Sequence, residues 1–114
     1  MGLTISEGEE GDVKILKTEG FVDTSTSSIL ENFLKEKIDE GKNKIVVDLS
    51  GADFISSAGW GVFVAFLRRV RPAGGDIKLA GMVNKVKQVF ELMEFDSLID
   101  AEDTAEDAVK SFRE

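Results

Sequence analysis

The chain has neither cysteine nor histidine among its 114 residues. Their absence excludes disulfides, thiol nucleophiles, zinc sites built from Cys and His, and any catalytic triad that uses imidazole as its base. Long apolar runs are missing too. The longest, Trp60 with Val62 to Leu67, falls far short of the ~18 residues that span a bilayer. The N-terminus shows neither the basic nor the apolar region of a signal peptide. The expectation is a soluble, cytoplasmic protein without membrane insertion. Positive charge is also scarce: 14 lysines and arginines stand against 22 acidic residues, a net charge of −8. Such a chain repels phosphate backbones, which argues against a nucleic-acid partner. Arg68, Arg69 and Arg71 form the only dense basic patch, and on a helix they read as a solvated face.

The rest is the composition of an ordinary globular domain, 42% hydrophobic and 32% charged, long enough for one core over residues 1–114. Leu3 and Ile5, then Val13 and Ile15, alternate with polar residues, predicting strands near 3–7 and 12–19 with a turn across Glu7 to Asp12. Ile29, Leu30, Phe33, Leu34 and Ile38 recur at helical spacing and stop at Gly41. Ile45-Val46-Val47 predicts a buried strand over 44–49, broken by the polar stretch Asp48, Ser50, Gly51, Asp53. A helix follows from Ser57 to about Arg71, where Pro72-Ala73-Gly74-Gly75 ends it. Ile77 and Leu79 mark a strand, and Val86, Val89, Phe90 and Met93 one face of a third helix. Leu98-Ile99 reads as a short last strand. Thr104 caps a final helix whose inner face is Ala105, Ala108, Val109 and Phe112. This order of strands and helices is an α/β pattern: one mixed sheet of about five strands with helices packed on it.

The chemistry concentrates around Ser57. Gly59-Trp60-Gly61 suggests a dinucleotide turn, but the third glycine position is Val64. Ser57-Ala58-Gly59 matches half of a nucleophile elbow, but Ile55 replaces its first glycine and there is no histidine to activate the serine. Asp23, Asp48 and Asp53 could hold a magnesium ion and read more simply as turn or capping residues. No metal and no cofactor is expected. Ser57 remains, either as a plain N-cap or as a modification site. A phosphate there would add about −1.5 to −2 charges at a helix N-terminus, which favours anions. The helix tolerates that charge, whereas a partner packed on the same surface does not.

At these residues the chain resembles the STAS domains of bacterial anti-sigma-factor antagonists. Asp48-Leu49-Ser50 followed by Phe54-Ile55-Ser56-Ser57-Ala58-Gly59-Trp60-Gly61 is similar to the family's central motif. Gly20-Phe21-Val22-Asp23, Gly74-Gly75 and Thr104 to Ala108 fit further signatures in order. The resemblance implies a non-enzymatic regulator in a partner-switching pathway. Its partners would be an anti-sigma factor that is also a serine kinase, and a phosphoserine phosphatase that reverses the modification. It implies Ser57 as the phosphorylated residue, with Ser56 a second candidate because it stands where the family has aspartate. It also implies a binding surface drawn from Asp23, Thr24, Ser25, Asp48, Ser50, Ser56, Ser57, Gly59 and Trp60. Trp60 reads as a core residue or an exposed anchor, with core preferred. Replacement of the aspartate leaves an alternative, a STAS scaffold or small-ligand sensor that is never phosphorylated.

Overall fold

The computed structural model describes residues 2–114. Its first two strands, β1 (Leu3–Glu10) and β2 (Val13–Val22), form an antiparallel hairpin that pairs Glu10 with Val13. The turn is therefore only Gly11-Asp12, and the acidic run Glu7 to Glu10 lies in the strand rather than in a loop. Gly11 takes a φ of +61°, the left-handed geometry that a tight hairpin turn requires. Glu7 is held in β1 by Lys37, whose Nζ lies 2.7 Å from Glu7 Oε1. The Lys37 hydrogen bond keeps the Glu7 carboxyl below its ordinary value, and Glu7 in turn raises the Lys37 ammonium.

Helix α1 (Ser27–Asp39) leads to β3 (Lys44–Ile55), α2 (Ser57–Val70) to β4 (Asp76–Ala80), and α3 (Asn84–Leu92) to β5 (Ala101–Glu102), before α4 (Ala105–Ser111). The sheet order is β1-β2-β3-β4-β5, with every pair after the first parallel. Because the strand order never reverses, like-handed crossovers put successive helices on one face. Leu30 and Leu34 of α1, Phe63 and Leu67 of α2, and Val86 and Phe90 of α3 share one core with Ile45, Val47, Ile77 and Leu79. Helix α4 covers the other face through Ala108 and Val109, against Val13, Val46 and Ala80. Thr104 caps it, accepting the Asp107 amide at 3.1 Å.

Three expectations need correction. The polar stretch after Leu49 does not break β3, which runs on to Ile55. The β2 pairing shifts register between Lys17 and Glu19 and again between Gly20 and Phe21, so β3 carries one extra residue at each point. Two bulges absorb the polar residues while the ladder continues. Gly51 sits at the first, where a Cβ would come within 2.7 Å of Glu19 Cγ and 3.1 Å of the Thr18 carbonyl. Leu98-Ile99 is not a strand. Phe95–Ser97 form a 3-10 turn whose Phe95 carbonyl accepts both following amides, and Ile99 drops into the core from it. Finally, Val89 and Met93 are not buried with Val86 and Phe90 but stand 41% and 60% exposed.

Candidate functional site

The site is assembled where β2 and β3 end side by side. Val22 pairs with Ile55, and the Ser56 amide donates to the Val22 carbonyl at 2.7 Å. That bond brings the segment after β2, Asp23 to Thr26, next to the start of α2. Asp23 organises its own turn. Its Oδ1 accepts from the Ser25 hydroxyl at 2.7 Å, the Ser25 amide at 2.9 Å and the Thr26 amide at 3.1 Å. The Ser25 hydroxyl, followed by these amides and the Thr26 side chain, holds the Asp23 carboxyl below the usual carboxylate range. Thr26 is buried, donates to the Phe21 carbonyl at 2.6 Å and accepts the Asp23 amide at 2.9 Å. Thr24 and Ser25 remain exposed at the tip.

At α2 the two serines divide their roles. Ser56 is the N-cap: its backbone is extended, and its Oγ accepts the Gly59 amide at 3.3 Å. Ser57 is the first helical residue, exposed, and its hydroxyl makes no hydrogen bond among the described residues. The expectation that Ser57 itself caps the helix is therefore corrected; tethering of Ser56 to Val22 fixes the earlier serine in the cap geometry. The first turn contains no acidic side chain, so nothing on the helix opposes an anion at Ser57.

Gly59 and Trp60 lie beneath this surface rather than on it. A Cβ at Gly59 would come within 2.7 Å of Val22 Cγ1 and 2.9 Å of Ile55 Cγ2, so glycine lets α2 sit down on the strand ends. Trp60 is only 3% exposed. Its ring stacks on Phe95 with centroids 5.2 Å apart and meets Phe90 at 5.8 Å and Phe63 at 6.0 Å. Of the two readings of Trp60, the structure has the preferred one, a core residue: its place on the inward stripe of α2 and its three aromatic neighbours bury it, and only its edge reaches the pocket between Phe54 and Val89.

Asp48 and Ser50 are not gathered with the serines. Ile45, Val47 and Leu49 point into the α1/α2 core, so Asp48 projects from the opposite face, as strand alternation demands. Its Oδ1 accepts the Ser50 amide at 3.0 Å, and both residues line the approach to Gly81. Asp23, Asp48 and Asp53 do not converge, and no metal-sized cluster of carboxylates occurs among the described residues.

Periodicity missed an apolar strip that begins at Phe54, three residues before Ser57. Phe54, 46% exposed, packs on Phe21 with ring centroids 6.2 Å apart. It joins Val89 across a shallow pocket with Asp53 and Lys85 on its rim, and Val89 continues along α3 to Leu92 and Met93, both exposed. The signal was present in the sequence: Val89, Leu92 and Met93 make a second apolar stripe on α3 beside the buried pair Val86 and Phe90.

The STAS domain family model matches residues 5–108. The chain belongs to that family. A Bordetella bronchiseptica protein, BtrV, provisionally named an anti-sigma factor antagonist, is 30% identical over 95 residues, covering 83% of this chain and 82% of its own. A Thermotoga maritima crystal structure, provisionally named in the same way, superposes with a TM-score of 0.90 at 25% identity over 96% of this chain and 95% of its own. The anti-sigma factor antagonist SpoIIAA from Bacillus, solved unphosphorylated and phosphorylated, shares the fold. Its unphosphorylated form gives a TM-score of 0.75 at 17% identity, over 96% of this chain and 98% of its own. No helix among the described residues is long and apolar enough to cross a membrane.

Proposed function

We propose that this chain is an anti-sigma factor antagonist whose binding to an anti-sigma factor with serine kinase activity is switched off by phosphorylation of Ser57. A phosphoserine phosphatase restores it, and the chain itself catalyses nothing. The observation that carries this reading is the division of labour at α2. Ser56 satisfies the helix, which leaves the Ser57 hydroxyl exposed and unused on the first turn. The relatives' names and a fold shared with a protein solved in both phosphorylation states support the same reading.

The physical mechanism follows from the surface. Unmodified, Ser57 is a small, exposed, neutral group three residues after Phe54, and the bond from Ser56 to Val22 sets its helix start next to the Asp23–Thr26 turn. A partner that covers the serine and the apolar strip from Phe54 gains from the buried apolar area and desolvates one hydroxyl, a modest cost. A phosphate would bring about −1.5 to −2 charges to the same place. Burying that dianion without a matched cation is far more costly. The helix meanwhile accepts the charge, because the positive end of its dipole faces it. The switch therefore acts on the complex and leaves the fold intact.

Titration calorimetry with the kinase tests this. Ser57→Ala should bind like wild type. Ser57→Glu should lose about a hundredfold or more in affinity, the range of a charge left buried and unpaired. Equal binding by the two variants would leave an unswitched scaffold as the better description.

A further inference from the structure

The C-terminal end of α2 carries a second feature, remote from Ser57 by about 16 Å at the helical rise. Val64, Leu67, Arg68, Arg71, Pro72 and Leu98 line a groove of about 340 Å³, inside the size range of small-molecule sites. Its floor is aliphatic, and Leu98 is left 40% exposed beside it. The rim is cationic. Arg71 is fixed in place, donating from Nε to Asp76 Oδ1 at 3.0 Å and from Nη2 to the Leu98 carbonyl at 2.7 Å. Arg69 turns away to Asp39, at 3.4 Å, and lies over the Phe66 ring at 5.3 Å. Arg68 alone of the three has no carboxylate partner among the described residues. On a chain of net charge −8, the one guanidinium that no carboxylate answers, Arg68, set over an apolar floor beside the Asp76-paired Arg71, selects a ligand with an anionic head and an aliphatic body. Among the described residues no aromatic ring lines the groove on which a nucleobase could stack, and a single free guanidinium, able to take a carboxylate or a phosphate in a planar, two-point fashion, balances the one charge of a carboxylate better than the two of a phosphate monoester.

We propose that this groove binds single-chain aliphatic carboxylates, with the head at Arg68 and the chain along Val64, Leu67 and Leu98. The complete chain is titrated by calorimetry with octanoate, decanoate and decanol, all below their aggregation limits. The lone tryptophan, Trp60, serves as a second readout. It lies one helical turn before Val64 and stacks on Phe95, close in sequence to Leu98.

Decanoate should bind about tenfold more tightly than octanoate, as two further buried methylenes require, and should perturb Trp60 emission saturably. Arg68→Gln should weaken decanoate about tenfold, and Arg68→Lys should recover part of the loss. Arg68 is exposed and has no ion-pair partner among the described residues, so these variants keep the fold, which unchanged urea midpoints will verify. The proposal is overturned if decanoate gives no saturable signal into the millimolar range, if decanol binds as well as decanoate, or if Arg68→Gln changes nothing. Co-sedimentation with phosphatidylglycerol vesicles that Arg68→Gln abolishes would also overturn it, since the anion would then belong to a bilayer lipid.

Discussion

The entries into α1 and α2 start from neighbouring strand ends and are built in opposite ways. At α1, the turn before the helix is tied to itself: Asp23 Oδ1 gathers the Ser25 hydroxyl and two amides, and Thr26 ties the turn to Phe21. At α2, one hydrogen bond from Gly59 to Ser56 does the capping, and Ser57 is spare. The tight turn supplies a fixed wall, and the loosely engaged serine beside it supplies a group that can be modified without unfolding anything. A switch needs both: one region that holds its shape and another whose chemistry can change.

The largest test of this contrast lies underneath it. Trp60 seats α2 through Phe95, Phe90 and Phe63, so Trp60→Ala should lower unfolding stability by about 3–5 kcal/mol. Trp60→Phe should cost less, about 1–2 kcal/mol for the smaller cavity it leaves, because the Trp60 Nε1 is buried with no hydrogen-bond partner among the described residues to lose. Urea unfolding measures both. A loss as large with phenylalanine as with alanine would mean that the outer ring of the indole, rather than its contact with Phe63 and Phe90, seats the helix.

Next in size is the pair of serines. Ser56→Ala should cost about 0.5–1 kcal/mol, the value of a helix cap. Ser57→Ala should leave stability within about 0.5 kcal/mol, as for a surface group without partners. The reverse ranking would exchange their roles.

The smallest effect belongs to the α1 entry. Asp23 titrates below its ordinary value of 3.8 in the folded protein, so it contributes stability above that value. The contribution disappears as pH falls through the lowered folded-state value. Asp23→Asn should therefore be less stable than wild type near neutrality and converge with it on acidification. Urea midpoints measured across the acid range read this directly, and a constant gap would assign the effect to shape instead of charge.

Much of this architecture is legible in the residues. Helical spacing located α1, α2 and α4, Pro72 and the Gly74-Gly75 pair marked the end of α2, and the early alternation gave the hairpin. The departures share a cause: each is decided by a partner distant in sequence. The polar stretch from Ser50 to Asp53 stays in β3 because β2 pairs with it through two bulges, which no local pattern encodes. Of two adjacent serines, Ser56 becomes the cap because Val22, more than thirty residues earlier, takes its amide. Alternation along β3 sends Asp48 to the far face of the sheet, although its motif position suggested proximity to Ser57. The apolar stripe of Val89, Leu92 and Met93 had a helical period, but period alone does not say whether a stripe meets a core or a partner.

The central claim is that Ser57, and not the adjacent Ser56, is the chemically available serine. Incubation of the full chain with its serine kinase and ATP, followed by site-resolved mass spectrometry, tests it most directly. One phosphate on Ser57, absent from Ser57→Ala and retained by Ser56→Ala, is the predicted result. A phosphate on Ser56, or an unchanged mass under conditions in which the kinase is active, would contradict it.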